Sequence, residues 1–169
     1  MITIPESFVR APFYSSVTTV ETPKGPLDTE LSKQGPYFAH DIAYVQQVSV
    51  EQPWSNPYPT FKYIQNQWKE IGYPLITERF SERDRKGAEP YMVKYTALFI
   101  QLLHWSQATP VRSLIQIEKM LANNKVAPLN VTDRLGFILQ MPNHHHAFTT
   151  LTELYREAEK KIAIELAKK

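Results

Sequence analysis

The stretch that decides the fold is residues 90–107, PYMVKYTALFIQLLHWSQ, the most apolar run of the chain. Its few polar residues, Lys94, Gln101 and His104, lie within about 80° of one another if the stretch is helical. A helix that is apolar over most of its circumference is buried among other helices. The pattern therefore predicts the central helix of an all-α domain. Pro90 suits its first position, where a missing N–H costs no helical hydrogen bond.

Length and composition bound the class of protein. The chain has 169 residues, enough for one domain, and 43% of them are hydrophobic, so a full core is possible without disulfides. It has no cysteine and a formal net charge of +2, which excludes thiolate chemistry and gives no obvious nucleic-acid footprint. The N-terminus lacks the features of a signal peptide, and the central run is too short and polar to span a membrane. We therefore predict a cytoplasmic protein without membrane contact.

Proline placement divides the chain into an arm and a helical domain. Eight of the 13 prolines lie within residues 1–59. Residues 1–36 are predicted to form an extended proline-rich arm, wrapped on the domain or partly disordered, and residues 37–169 a single compact bundle of about six or seven helices. Gly72, followed by Pro74, is expected to end the helix before residues 75–86, and residues 82–87 to form a charged connection. Thr109 and Pro110 are expected to begin the helix after the central one, Asn130 the next, and Phe148 the last.

Apolar residues at helical spacing predict which side chains form the core. Phe8, Phe13 and Tyr14 are expected to anchor the arm to this core. Trp105 shares a helix face with Leu98 and Leu102, so it is expected to be buried. The full set of predicted core residues is Phe61, Ile64, Trp68, Leu98, Leu102, Trp105, Leu114, Leu121, Leu135, Ile138, Leu151, Leu154 and Ile162.

Three consecutive histidines, His144, His145 and His146, are the candidate metal ligands of the chain. Neutral imidazole nitrogens bind Zn²⁺ or Ni²⁺, so a metal-dependent hydrolase that uses this run is one hypothesis. Adjacent residues of a helix point about 100° apart, however, so only two of the three could easily reach one ion. The alternative interpretation is a polar helix entry with one histidine packed against the core.

The proline-rich loop of residues 51–60 supplies the candidate partner-binding residues, Trp54 and Tyr58. Trp68 and Trp105 fall on predicted inner faces, where core packing is the expected role. Trp54, in contrast, is expected to be partly exposed and available to a partner. Aromatic side chains beside basic ones can also bind single-stranded nucleic acid, which is a second use for such residues.

Charged residues on either side of the central run are interpreted as structural. Glu78, Glu82 and Asp84 alternate with arginines, which is typical of a solvated surface with local ion pairs. Arg79 and Arg134 are each followed by an apolar residue, so both are expected to bridge helix ends at the edge of the core through several hydrogen bonds. We therefore identify no catalytic residue, expect no cofactor, and treat enzymatic activity as the weaker hypothesis.

A series of short motifs follows the arm in a distinctive order. The motifs are Pro53-Trp54, the helix bearing Trp68, Glu78-Arg79-Phe80, Leu103-His104-Trp105, Pro128 to Leu139, Pro142 to Phe148, and Leu151 to Tyr155. This order resembles the YpoC-like family of small proteins from Firmicute bacteria, over about residues 50–160. The resemblance implies an all-helical cytoplasmic protein, and it brings no activity and no catalytic residues with it.

Three functional hypotheses follow from the sequence. The favoured one is a non-enzymatic protein-interaction or scaffold module, because the arm and the aromatic loop offer binding surface and no catalytic constellation is present. The first alternative is an accessory nucleic-acid-binding protein, motivated by Arg112, Lys119 and Lys125 in the slightly basic second half of the chain. The second alternative is the metal-dependent hydrolase that would use the histidine run.

Overall fold

The computed structural model describes residues 1–168 and shows an all-α fold, as the sequence predicts. Eight α-helices lie within these residues, together with one small two-stranded sheet near the N-terminus. The elements in chain order are β1 (Ile2–Thr3), β2 (Thr19–Val20), α1 (Leu27–Ser32), α2 (Ala39–Val45), α3 (Pro57–Asn66), α4 (Tyr73–Ser81), α5 (Arg85–Trp105), α6 (Ile117–Met120), α7 (Val131–Gln140) and α8 (His145–Ala167). None of the helices in this part of the chain combines the length and the apolar character that crossing a membrane requires.

Helix α5 is the buried centre of the fold. Every residue from Met92 to Leu103 is buried, including the polar Lys94 and Gln101. The other helices bury their apolar faces around it, and all thirteen predicted core residues are buried. The prediction of a central helix enclosed by a bundle is therefore confirmed.

The start of α5 differs from the prediction, which placed Pro90 at the first position. The helix begins at Arg85, because the Asp84 carboxylate accepts a hydrogen bond from the Gly87 N–H at 2.8 Å and caps the helix there. Pro90 lies in the second turn at an exposed position, where it removes one backbone hydrogen bond. The predicted charged connection is therefore shorter, since residues 85–87 belong to the helix.

Gly72 does not end a helix, so that prediction is wrong. The residues Gln67–Gly72 form a π-helical turn that joins α3 to α4 without a break, and the Tyr73 N–H donates to the Trp68 carbonyl five residues back. Gly72 has ordinary right-handed helical angles. A Cβ atom built on it would lie 2.6 Å from the Tyr95 ring. Glycine at this position therefore allows close packing on α5 and does not serve to terminate a helix.

Residues 109–116 are not helical, although the sequence predicts a helix starting at Pro110. Their backbone donors are used elsewhere: the Val111 N–H donates to Asp41 and the Leu114 N–H donates to the Ser7 carbonyl, both at 2.8 Å. Long-range hydrogen bonds thus replace the local helical ones, and the helix is reduced to the short α6. Helix α7 does begin directly after Asn130, and α8 begins three residues earlier than predicted.

The N-terminal arm is packed on the bundle along much of its length. Strands β1 and β2 pair antiparallel, with Ile2 opposite Val20. Phe8 and Phe13 are buried in the common core and Tyr14 packs against it, which confirms them as anchors. Arg10 forms an ion pair with Glu118 in α6. The division at residue 36 between an arm and a helical domain stays a prediction, and α1 shows that the arm is not extended throughout.

Candidate functional site

Each of the three histidines of the run lies near an aromatic ring of a neighbouring helix, although His145 and His146 are exposed. His144 and His146 both face Phe137 of α7, with ring centroids 6.3 and 5.2 Å away, whereas His145 faces Phe80 of α4 at 5.4 Å. Among residues 1–168, no three His, Asp or Glu side chains are grouped so that they could hold a metal ion. Metal binding by the run stays a prediction, and the structure supplies packing partners for all three rings.

Trp54 is buried, with 5% of its surface exposed, so the prediction that it is partly exposed is wrong. Its ring packs between two others, with the Trp105 centroid at 6.3 Å and the Tyr44 centroid at 5.4 Å. Tyr44 is itself partly exposed, and Arg112 lies 5.8 Å from the centre of its ring. Although Trp54 lies in a proline-rich loop, its side chain is buried because α2 and α5 provide aromatic rings for it to pack against.

Tyr58, the second candidate for partner binding, is 53% exposed. It lies in the first turn of α3, at a groove between α3 and the last turns of α8. The walls of this groove are largely apolar, and Lys62 and Gln65 are its polar residues. We refer to this surface as the α3–α8 groove; its lining residues are Tyr58, Phe61, Lys62, Gln65, Ala163, Leu166 and Ala167.

A buried carboxylate, Asp41, joins three separate parts of the chain. Its Oδ1 accepts hydrogen bonds from the Trp105 indole and the Val111 N–H, and its Oδ2 accepts one from the Gln101 amide, all at 2.8 Å. Burial raises the pKa of Asp41 to about 6, and the three donors oppose that rise. The sequence does not predict this cluster, although Gln101 is recognisable as a polar residue inside an apolar run. The three donors belong to α5 and to residue 111, so their hydrogen bonds to Asp41 hold α2, α5 and residue 111 together.

His40 lies beside this cluster and is 4% exposed. Its ring packs against Trp105 with 6.1 Å between centroids. Burial lowers the pKa of His40 to about 4, against a smaller opposing effect of Glu30. The imidazole is therefore neutral at pH 7, in a crevice that Lys94 and Gln101 also line.

Arg134 behaves as the sequence predicts. Its guanidinium donates to the Leu129 carbonyl at 2.8 Å and to both carboxylate oxygens of Glu157 in α8, with Glu153 close by. The hydrogen bond to Arg134 holds the pKa of Glu157 below its ordinary value. The side chain thus bridges the start of α7 to α8 at the edge of the core, in the bidentate geometry that guanidinium favours.

Arg79 does not make the corresponding bridge, so that prediction is wrong. Its Nε atom is buried and has no hydrogen-bond partner, and no carboxylate in residues 1–168 lies within ion-pair distance of its guanidinium. Arg79 lines a groove between α4, the first half of α5 and the end of α1. Lys94 of α5 lines the same groove. We call this surface the α4–α5 groove. The several hydrogen bonds that the sequence predicts for Arg79 are therefore not formed, and its Nε stays without a partner.

Comparison with known proteins gives a family and one relative. The model of the family described as YpoC-like protein matches residues 59–169, which include α4 to α8, the histidine run, Arg79, Lys94 and Arg134. A protein named YpoC from Bacillus subtilis (strain 168) is 29% identical over 108 residues, which are 64% of this chain and 65% of that protein. No solved structure matches the chain. Since the family model covers well over half of its length, the chain belongs to the YpoC-like family.

Proposed function

We propose that the protein is a non-enzymatic interaction module of the bacterial cytoplasm and that it binds a protein partner in the α3–α8 groove. The observation that supports this most directly is Tyr58, a large aromatic side chain that is half exposed at the mouth of an apolar groove. Tyrosine is enriched at protein interfaces because it combines a wide apolar ring with a polar hydroxyl. This surface coincides with one of the two residues that the sequence singles out for partner binding.

The lining of the groove defines the kind of partner that it fits. Ala163 and Ala167 are small and exposed, so a backbone or an apolar side chain of the partner can approach α8 closely between them. Lys62 is exposed at the same groove and forms no ion pair within residues 1–168. We therefore expect an amphipathic segment that places apolar side chains against Tyr58 and α8 and an acidic residue near Lys62.

The test uses two adjacent positions of α8. Ala163 lines the groove, whereas Ile164 is 60% exposed and does not line it. Ala163→Glu places a charge in the groove, and Ile164→Glu places the same charge next to it. Wild type and both variants are used to capture proteins from bacterial lysate, and each captured protein is purified and tested for direct binding.

The proposal predicts a stoichiometric partner that wild type and Ile164→Glu bind equally and that Ala163→Glu binds at least about tenfold more weakly. The added carboxylate would occupy the apolar groove and compete with the partner's acidic residue for Lys62. Equal binding by all three proteins would place the interface elsewhere. Failure to capture any stoichiometric partner under several salt conditions would count against an interaction module altogether.

A further inference from the structure

Lys94 is a cationic side chain in the interior of the fold. The residue lies in the middle of α5 and is 7% exposed. Its Nζ donates a hydrogen bond at 2.9 Å to the carbonyl of Ser32, which is the last residue of α1. The same Nζ lies 5.2 Å from the centre of the Tyr95 ring. No carboxylate within residues 1–168 is close enough to form an ion pair with it. A buried ammonium without a counter-ion is costly, so one hydrogen bond to α1 is a poor explanation for its presence.

A second cation without a carboxylate lies in the same groove. Arg79 belongs to the last turn of α4, and its buried Nε has no hydrogen-bond partner. The guanidinium offers five N–H donors in a fixed plane, a shape that suits two oxygens of one anion. Arg79 and Lys94 therefore bring unused donors and two positive charges to one depression of the surface.

The groove holds one acidic side chain, Asp84, whose role is already defined. Its carboxylate accepts the Gly87 N–H at 2.8 Å and caps α5, so it compensates the positive end of that helix. The remaining walls include the rings of Tyr91 and Tyr95. The two cations thus share a groove with two tyrosines, and neither has a paired carboxylate.

We propose that the α4–α5 groove binds the phosphate group of a phosphomonoester, with Arg79 and Lys94 as its ligands. A phosphomonoester carries a charge of about −1.5 to −2 at pH 7, which matches two cations, whereas a carboxylate or a phosphodiester would leave one of them uncompensated. Arginine binds two phosphate oxygens at once, and lysine adds a point charge. Tyr91, which is half-buried on the same wall, lies where the organic part of the ligand would rest. This site is separate from the α3–α8 groove and does not depend on the interaction proposed there.

The experiment is an NMR titration of the full chain at low ionic strength and pH 7 in phosphate-free buffer. Four probes are compared: inorganic phosphate, phenyl phosphate, dimethyl phosphate and acetate. We expect saturable binding of the first two and at least roughly tenfold weaker binding of the singly charged probes, since one charge-assisted contact is lost. Tighter binding of phenyl phosphate than of inorganic phosphate identifies an ester as the ligand, and equal binding identifies phosphate itself. Binding of dimethyl phosphate as tight as that of phenyl phosphate would overturn the proposal.

Variants locate the site. Arg79→Gln and Lys94→Met each remove one proposed ligand, and both should weaken phosphate binding by roughly tenfold or more. Lys86→Gln is the control, because it removes a charge from the first turn of α5 at an exposed residue that does not line the groove. Melting temperatures without phosphate should be close to that of wild type for all three. Unchanged phosphate affinity in Arg79→Gln and Lys94→Met, or failure of both variants to fold, would overturn the site.

Discussion

Arg134 and Arg79 look alike in the sequence and have opposite surroundings in the structure. Each is half-buried and precedes an apolar residue of its own helix. Arg134 meets the Leu129 carbonyl and the Glu157 carboxylate, whereas Arg79 keeps a buried Nε without a partner. The difference comes from the opposing element, because α8 presents an acid to Arg134 and α5 presents Lys94 within the groove of Arg79. We expect the paired Arg134 to stabilise the fold, and we propose that the unpaired Arg79 binds a ligand.

Asp41 and Lys94 show the same difference between a paired and an unpaired charge inside the fold. Asp41 is fully buried, which makes its charge costly, and three donors surround it. Lys94 is nearly as buried and has one backbone carbonyl. Substitutions in the Asp41 cluster should therefore lower stability strongly, and those in the α4–α5 groove should lower it little.

The largest effect is expected for Trp105→Ala. The ring is fully buried against Trp54 and His40 and donates to Asp41. Its removal leaves a cavity and takes one donor from the carboxylate, so we expect a loss of about 3–5 kcal/mol in the free energy of unfolding. Domains of this size are stable by about 5–15 kcal/mol, so the variant should be poorly folded. Urea denaturation measures the loss; an unchanged midpoint would mean that Trp105 does not support the core.

The next effect is a change in pH dependence. The pKa of His40 is about 4 when folded and 6.5 in its ordinary range, so the stability it contributes is present above pH 6.5 and is lost as the pH falls towards 4. Asp41 has the opposite effect: its raised pKa of about 6 means that stability is gained as the pH falls from 6 to 3.8. In the wild type, the pH-dependent contributions of His40 and Asp41 to the free energy of unfolding largely cancel. In His40→Gln only the Asp41 contribution is left, so its stability relative to wild type should increase by about 2–3 kcal/mol between pH 7 and pH 4.

The measurement is urea denaturation of wild type and His40→Gln at pH 7, 6, 5 and 4. Tyr44→Phe is a suitable control, because it removes only a hydroxyl group from an exposed residue of the same helix. Parallel stability profiles for wild type and His40→Gln would contradict a depressed pKa for His40.

The smallest change is expected for Lys94→Met. The variant loses the hydrogen bond to Ser32 and also the cost of a buried ammonium, and burial already lowers the pKa of this lysine. The two effects oppose each other, so we expect the free energy of unfolding to change by less than about 1 kcal/mol. Denaturation at pH 7 tests this expectation. A loss of more than about 2 kcal/mol would show that Lys94 is needed to fix α1 to α5. Lys94 would then stabilise the fold as the paired charges do, and the proposed difference between paired and unpaired charges would be wrong.

The elements that the sequence predicts well are those whose signal is local. Helix α5 is recognisable because its apolar residues cover most of its circumference, and the stripe from Leu151 to Ile162 identifies α8. In both cases the residues that form the pattern are also the residues that are buried. Burial of an amphipathic or apolar helix depends on its own composition more than on the identity of its neighbours.

The features that the sequence does not predict depend on residues far along the chain. Gly72 has the local context of a helix end, and only the ring of Tyr95 on α5 explains why a glycine continues the helix there. Val111 follows a proline that suits a helix start, yet its N–H is taken by Asp41, seventy residues earlier. The same holds for Trp54, whose burial depends on Tyr44 and Trp105.

The α4–α5 groove belongs to this second group. The polar positions of α5 are visible in the sequence, but nothing local shows that Lys94 faces a groove shared with Arg79 and not a carboxylate. The α3–α8 groove is only partly visible: Tyr58 stands out as an aromatic residue among prolines, whereas the contribution of Ala163 and Ala167 requires the packing of α8 on α3.

The most direct test of the contrast between paired and unpaired charges compares Arg134→Gln with Arg79→Gln by urea denaturation at pH 7. The two variants make the same chemical change at two half-buried helix positions. We expect Arg134→Gln to lower the free energy of unfolding by about 1–2 kcal/mol, because it breaks a bidentate contact with Glu157 and the hydrogen bond to the Leu129 carbonyl. Arg79→Gln should unfold at the wild-type urea midpoint or slightly above it, because it removes an unpaired buried donor. Equal losses in the two variants would contradict the account, since Arg79 would then have a structural partner of its own.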